Sequence, residues 1–274
     1  MDLKALLATQ FVLPSIPKMV ALLLSELERN EPDLRKINQL ISTDPALTTH
    51  VLQIANSEAF GLSGRISSVS EALAVLSLSQ VHSMALAAAS AASLKAVPGI
   101  NLQKFWIYSR NVAKLSRTLA GLVRQNQQAA FTCGLIHAIG EWAIHIGMPD
   151  EAAVLDREVS SLDLGRAHAE RISFGFCYAQ VGAGLASQWH FPQPIVDALE
   201  HQYAPFEHDV YEPLAGVIHL ATWRVRCKMA GLPDRVLATT YPGAVGEVLA
   251  LDIDMVLQQN PYDWLGQSSG RVPL

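Results

Sequence analysis

Cysteine is scarce in this chain: three among 274 residues, at Cys133, Cys177 and Cys227. They lie far apart with no CxxC pair, which argues against a disulfide framework and against a cysteine zinc knuckle. Charge is scarce as well. Only 16% of residues are charged against 50% hydrophobic, a balance that suits a compact, well-buried protein and excludes a disordered one. The net charge of −5 gives no reason to expect nucleic acid or an anionic membrane as partner. No basic segment followed by an apolar core opens the chain, so no secretory leader is expected and the expected location is cytoplasmic. Strand signals are nearly missing, while apolar spacing of three and four recurs throughout. An all-α protein is expected.

One stretch without a full charge runs from Ala72 to Leu94, long enough to span a bilayer. It carries Ser77, Ser79, Gln80, His82, Ser83, Ser90 and Ser93 and is rich in alanine rather than leucine. Two buried helices packed closely through small side chains explain it better than a membrane span.

Ile16, Val20, Leu23 and Leu27 form one helical stripe, and Leu34, Ile37, Leu40 and Ile41 a second. Thr43-Asp44-Pro45 ends one helix and starts the next: the residue before proline is pushed out of the helical region, and Asp44 can cap the new N-terminus. Ser68 to Glu71 reads as a capping box. Pro98-Gly99 is the clearest break, and Asn101 can cap a helix whose apolar positions are Phe105, Tyr108, Val112, Leu115, Leu119 and Leu122. Further helices are expected near 128–147, 150–159, 163–173, 177–190, 193–203, 212–230 and 244–258, with a loose tail from Gln267 to Leu274. The expected organisation is an N-terminal helical lobe over 1–98, a second over 99–231, and a C-terminal extension over 232–274.

Leu13-Pro14-Ser15-Ile16-Pro17 is followed, in order, by Ser42-Thr43-Asp44-Pro45-Ala46-Leu47, Leu52-Gln53-Ile54-Ala55-Asn56-Ser57, Phe60-Gly61 and Arg65-Ile66-Ser67-Ser68. With Glu71-Ala72-Leu73 and Val75-Leu76 after them, these segments resemble an HDOD domain over roughly residues 10 to 230. The resemblance implies a bacterial, two-lobed, all-helical relative of the HD metal-dependent phosphohydrolases, non-catalytic and tied to signalling. Ser77 departs from it, standing where the family often has glycine.

The second lobe resembles the HD superfamily position by position, but with its ligands altered. Tyr108, in Phe105-Trp106-Ile107-Tyr108-Ser109, stands where a first histidine ligand would. His137 keeps its imidazole, whereas Ala138 replaces the aspartate of the His-Asp pair. Tyr178 sits where another histidine is common, His201-Gln202 resembles a His-His pair that has lost its second member, and Thr222 takes the place of a final aspartate. A catalytic zinc wants about three protein ligands, and a two-metal site needs bridging oxygens. Two imidazoles without a carboxylate fall short of both. No catalytic residue, metal or cofactor is therefore expected, and Tyr108 and Tyr178 are expected to fill the vestigial cleft.

Other signals are weaker. His137, Glu141 and His145, spaced by four, could form a replacement metal site; the plainer reading is one buried, satisfied His137 with Glu141 and His145 partly solvated. The row Arg110, Lys114, Arg117 and Arg124 could touch phosphate, although a solvated helix face suits an acidic protein better. Trp189-His190-Phe191-Pro192 is expected to end one helix and pack the next. Asn56 and Ser57 are expected to cap helices or join the lobes, while Arg65 is either a solvated arginine or part of a partner surface.

The sequence thus points to a non-enzymatic module that binds a protein partner of a signalling pathway, with a small ligand as a further option. No fused receiver or other signalling domain is expected, and the input is expected to arrive by association. The alternatives are a metal-dependent phosphodiesterase or phosphohydrolase, against which Ala138 and Thr222 speak, and a nucleotide- or nucleic-acid-binding module, which rests on the basic row alone.

Overall fold

A computed structural model describes residues 1–9, 12–92, 97–207 and 211–260. Ser93, Leu94 and the segment from Gln267 to Leu274 lie outside the described residues. Among those described there is no strand. The first helices are α1 (Leu3–Leu7), α2 (Pro17–Leu27), α3 (Leu34–Ile41), α4 (Pro45–Ala55), α5 (Val69–Val75) and α6 (Leu78–Ala92). After the turn at Gly99 come α7 (Leu102–Leu122), α8 (Gln127–Ile136), α9 (Ile139–Gly147), α10 (Pro149–Asp156), α11 (Arg166–Phe174), α12 (Tyr178–Gln188), α13 (Gln193–His201) and α14 (Pro213–Met229). Three short helices follow: α15 (Asp234–Thr240), α16 (Gly243–Val248) and α17 (Ile253–Gln258).

Local chemistry explains most of the boundaries. Asp44 caps α4: its Oδ1 accepts from the N–H groups of Ala46 (2.8 Å) and Leu47 (3.1 Å). Its other oxygen accepts the Ile16 N–H, tying the Leu13–Pro17 segment to the helix it starts. Asn101 caps α7 through the Lys104 N–H at 3.0 Å. The Ser68 hydroxyl accepts from Glu71 N–H, but the Glu71 carboxylate reaches back to Ser67 rather than to Ser68, so the capping box is displaced by one residue.

Several sequence expectations need correction. The run 128–147 is not one helix, because the chain breaks at His137-Ala138, where Ala138 has φ −115° and ψ 17°. Gln202 Nε2 donates to the freed His137 carbonyl at 2.9 Å, replacing the helical bond. The 244–258 run is likewise two helices, since Ala250 takes a left-handed φ of 53° and Asp252 caps a new N-terminus. Helix α15 is one the apolar spacing did not reveal. The uncharged stretch does form two helices, but they are not buried against each other: α5 packs on α3 and α4, and α6 on α2 and α4. Helix α6 leaves Leu78 and Leu86 exposed.

The long helices α7, α8 and α14 pack together, with α12 joined to α9 and α13. Helix α1 lies against α9 and α12, far along the chain from its own neighbours. Gly140 makes the contact of α9 with α12 close: a Cβ there would collide with the Tyr178 carbonyl oxygen. Asn56 is fully buried and uses both ends of its amide. It donates to the Leu52 (3.0 Å) and Ile66 (2.9 Å) carbonyls and accepts from the Arg65 (3.2 Å) and Ile66 (3.0 Å) N–H groups. The loop so held donates its Gly64 N–H to the His190 carbonyl at 2.9 Å, bonding the N-terminal helices to the end of α12. Trp189 caps that helix, and Phe191 is buried beyond it. One stretch, Gln127–Gly147, is long and apolar enough to cross a bilayer, and 89% of its most apolar window is buried inside the fold.

Candidate functional site

Tyr108 lies a third of the way along α7 and Tyr178 opens α12; both side chains are buried. They converge on a residue that the sequence reading did not single out, Arg226 of α14. Its Nε donates to the Tyr108 hydroxyl at 2.9 Å and an Nη donates to the Tyr178 hydroxyl at 3.4 Å. The other Nη donates to the Asp163 carbonyl at 2.8 Å. The guanidinium carbon also lies 5.6 Å and 5.4 Å from the two ring centroids, within the range where a cation is attracted to an aromatic face. A charge this deep is tolerated because partners surround it.

His137 closes α8 beside this group, its ring 4.9 Å from that of Tyr108. Its Nδ1 is 2.7 Å from the Gly134 carbonyl oxygen, so Nδ1 carries the hydrogen and Nε2 is left with a lone pair. That Nε2 is buried without a protein partner. Burial first, and then the Arg226 charge, push the imidazole down to about 3; His137 is neutral. Ala138 is buried and offers no donor. Thr222 lies one turn before Arg226 on α14, and its buried hydroxyl faces the Tyr108 phenol. His201 ends α13, half-buried. Arg65 lies elsewhere, exposed on the loop held by Asn56.

A second buried charge group adjoins the first. Arg166 is fully buried. It donates to Glu170 (2.8 Å), Asp156 (2.7 Å) and the Val159 carbonyl (2.7 Å) and lies 3.3 Å from Glu141. His145 Nε2 is 3.0 Å from Asp156. Glu170 also accepts the Tyr178 N–H at 2.7 Å, so Tyr178 links the two arginines. Glu141 and His145 are thus buried rather than partly solvated, and His137 lies beyond the helix break from both. Burial, reinforced by the Glu170 charge, raises Glu141 well above the usual carboxylate range.

This donor set does not fit a metal ion. Burial raises the hydroxyl pKa of Tyr108 and of Tyr178, so both phenols are neutral and weak ligands. Arg226 adds a positive charge where a cation would have to enter. The three carboxylates of the second group already enclose a guanidinium. Among the described residues no group of three or more His, Cys, Asp or Glu side chains could hold a metal. A shallow apolar depression of about 420 Å³ involves Phe206, His219 and Val245 but none of the cleft residues.

Arg226 left one trace in the sequence, its spacing of four from Thr222, on a helix that also carries Arg224 and Lys228. The i, i+4 pair Arg166–Glu170 left a similar one. Neither pattern distinguishes a buried pair from a solvated one. The basic row is more ordinary: Arg117 is exposed and lies over the Phe131 ring at 5.3 Å.

The fold is similar to that of the MmoQ response regulator from Methylococcus capsulatus str. Bath. The TM-score is 0.70 at 24% identity, over 90% of this chain and 98% of that one. A virulence factor from Campylobacter jejuni subsp. jejuni matches with a TM-score of 0.62 at 19% identity, over 89% and 98%. Identities this low speak to fold alone. An uncharacterized protein of Treponema pallidum (strain Nichols) is 24% identical over 217 residues, 78% of this chain. The chain spans about two-fifths of that relative, 42% of its length. The model of the HDOD domain matches residues 13–205, well over half of the sequence, and the chain belongs to the HDOD domain family.

Proposed function

We propose that this chain is a non-enzymatic regulatory module that acts in the cytoplasm by binding a protein of a signalling pathway. The observation that carries this reading is the state of the cleft. The positions corresponding to two histidine ligands hold neutral buried phenols, and both phenols are bonded to Arg226. A hydrolytic site needs an open coordination position or an activated water; this one is filled by side chains. Family membership and the fold-level likeness to a response regulator favour signalling among the non-catalytic roles. The partner surface includes the Arg65 loop, which is exposed yet rigidly held by Asn56, the arrangement in which loops on a fixed scaffold bind.

The test has two arms. Purified protein is assayed against a chromogenic phosphodiester and a cyclic dinucleotide with manganese or zinc added. Tagged protein is also cross-linked in the native cell and its contacts mapped by mass spectrometry. The expected result is no turnover above background and a recurrent partner cross-linked near residues 61–67. Turnover that Arg65→Glu leaves intact and His137→Ala abolishes would establish an enzyme and overturn the proposal.

A further inference from the structure

We infer that the Arg226 guanidinium is the resident cation of the former metal site: the chain has exchanged a bound ion for a covalently attached one. The inference concerns what occupies the cleft and does not depend on which protein, if any, binds outside it.

The argument rests on which atoms meet. Residues 108 and 178 stand at two ligand positions on separate helices, α7 and α12, and a shared cation would hold these helices together. In this chain both side chains have become phenols, whose oxygens accept hydrogen bonds from a cation far better than they ligate a metal at neutral pH. The guanidinium meets both, Nε toward Tyr108 and Nη toward Tyr178, and spends its remaining Nη on the Asp163 carbonyl. Loss of the carboxylates at 138 and 222 fits the same exchange. A dication needs anionic ligands to offset its charge, whereas a single delocalised charge is met by neutral oxygens and ring faces. The fork geometry matters: an ammonium is a point charge on a flexible stem and cannot keep three such directions at once.

If the guanidinium holds the cleft, a free guanidinium should replace it and a divalent metal should not. Arg226→Ala leaves a guanidinium-shaped space lined by Tyr108, Tyr178 and the Asp163 carbonyl. Its Tm should fall by about 10 °C, the scale for breaking a buried charged network in a chain of this size. Low millimolar methylguanidinium should then restore part of that loss, while lowering the wild-type Tm slightly or leaving it unchanged. Manganese or zinc chloride should restore none. Arg226→Lys should lose nearly as much as Arg226→Ala. A second measurement, which keeps Arg226 in place, covers the case in which these variants do not fold. By nitrogen-15 NMR, one arginine Nε–H, shifted in Tyr108→Phe, should exchange with solvent about 100-fold more slowly than the exposed arginines. Rescue by a divalent metal but not by methylguanidinium overturns the inference, as does no rescue by either. Rapid exchange of every arginine Nε–H in wild-type protein overturns it too.

Discussion

The Nε–H of Arg226 donates to the hydroxyl of Tyr108, 118 residues earlier in the chain, at 2.9 Å. Because both groups are buried, the bond is worth most when one end is removed: the stranded donor retains its desolvation cost. Tyr108→Phe keeps the ring and deletes only the acceptor, and should lower stability by about 1–3 kcal/mol in denaturant unfolding. Tyr108→Ala and Tyr178→Ala also remove a buried ring and should each cost about 3–5 kcal/mol. A melting curve of Tyr108→Phe that matches wild type would show that the bond does not form.

Asp44→Ala should cost more than an ordinary helix cap. An exposed cap is worth about 1 kcal/mol, but Asp44 is fully buried and serves three N–H groups, at Ala46, Leu47 and Ile16. Stranding these should cost about 2–4 kcal/mol. Asp44→Asn should restore only part, since its amide nitrogen would meet one of the donors. Denaturant midpoints for the two variants order them directly.

His137 sets an acid limit on stability. Burial, then the Arg226 charge, lowers its pKa in the folded protein from an ordinary 6.5 to about 3. Below 6.5 the unfolded chain takes up a proton that the folded protein refuses, so this contribution is present above 6.5 and lost as pH falls toward 3. His137→Phe, which cannot titrate, should flatten that part of the pH–Tm curve. An equally steep curve in the variant would assign the acid sensitivity to other groups.

Arg166→Met should be among the most damaging changes in the chain. It removes the charge that faces Glu141, Glu170 and Asp156, and breaking a buried network from one side costs about 3–5 kcal/mol. Adding Glu141→Gln and Glu170→Gln to the same protein should recover part of the loss, because fewer buried ionisable groups then lack a partner. A cycle comparing Arg166→Met, the paired Glu141→Gln and Glu170→Gln changes, and all three together that shows no coupling would mean that the groups act separately.

Arg65→Glu should leave the melting curve unchanged and weaken recovery of the cross-linked partner. The Arg65 side chain is exposed, while its backbone N–H donates to the Leu62 carbonyl and the Asn56 amide oxygen. Loss of stability in this variant would mean that the arginine supports the loop rather than presenting itself to a partner.

The elements that the sequence revealed are those determined by nearby residues. Asp44 before Pro45 and Asn101 after Gly99 mark helix starts because the caps act over two or three residues. The long alternation from Phe105 to Leu122 reads as one helix for a similar reason. The break at His137-Ala138 was hidden because a partner 65 residues away, Gln202, takes the freed carbonyl. Arg226 was hidden because an arginine in a helix reads as solvated until the phenols that enclose it are known. A residue type is visible at a single position, whereas the side chains that meet it are visible only in three dimensions.

The break at His137-Ala138 also sets the rotational phase of α9. Each residue of an α-helix turns the next by about 100°, so one residue inserted or deleted between Ala138 and Gly140 would swing the whole of α9 by that angle. Gly140 would leave its place against the Tyr178 carbonyl, and Glu141 would be carried away from Arg166. A change of length at this joint should therefore be tolerated far less than the same change in the loop before α15.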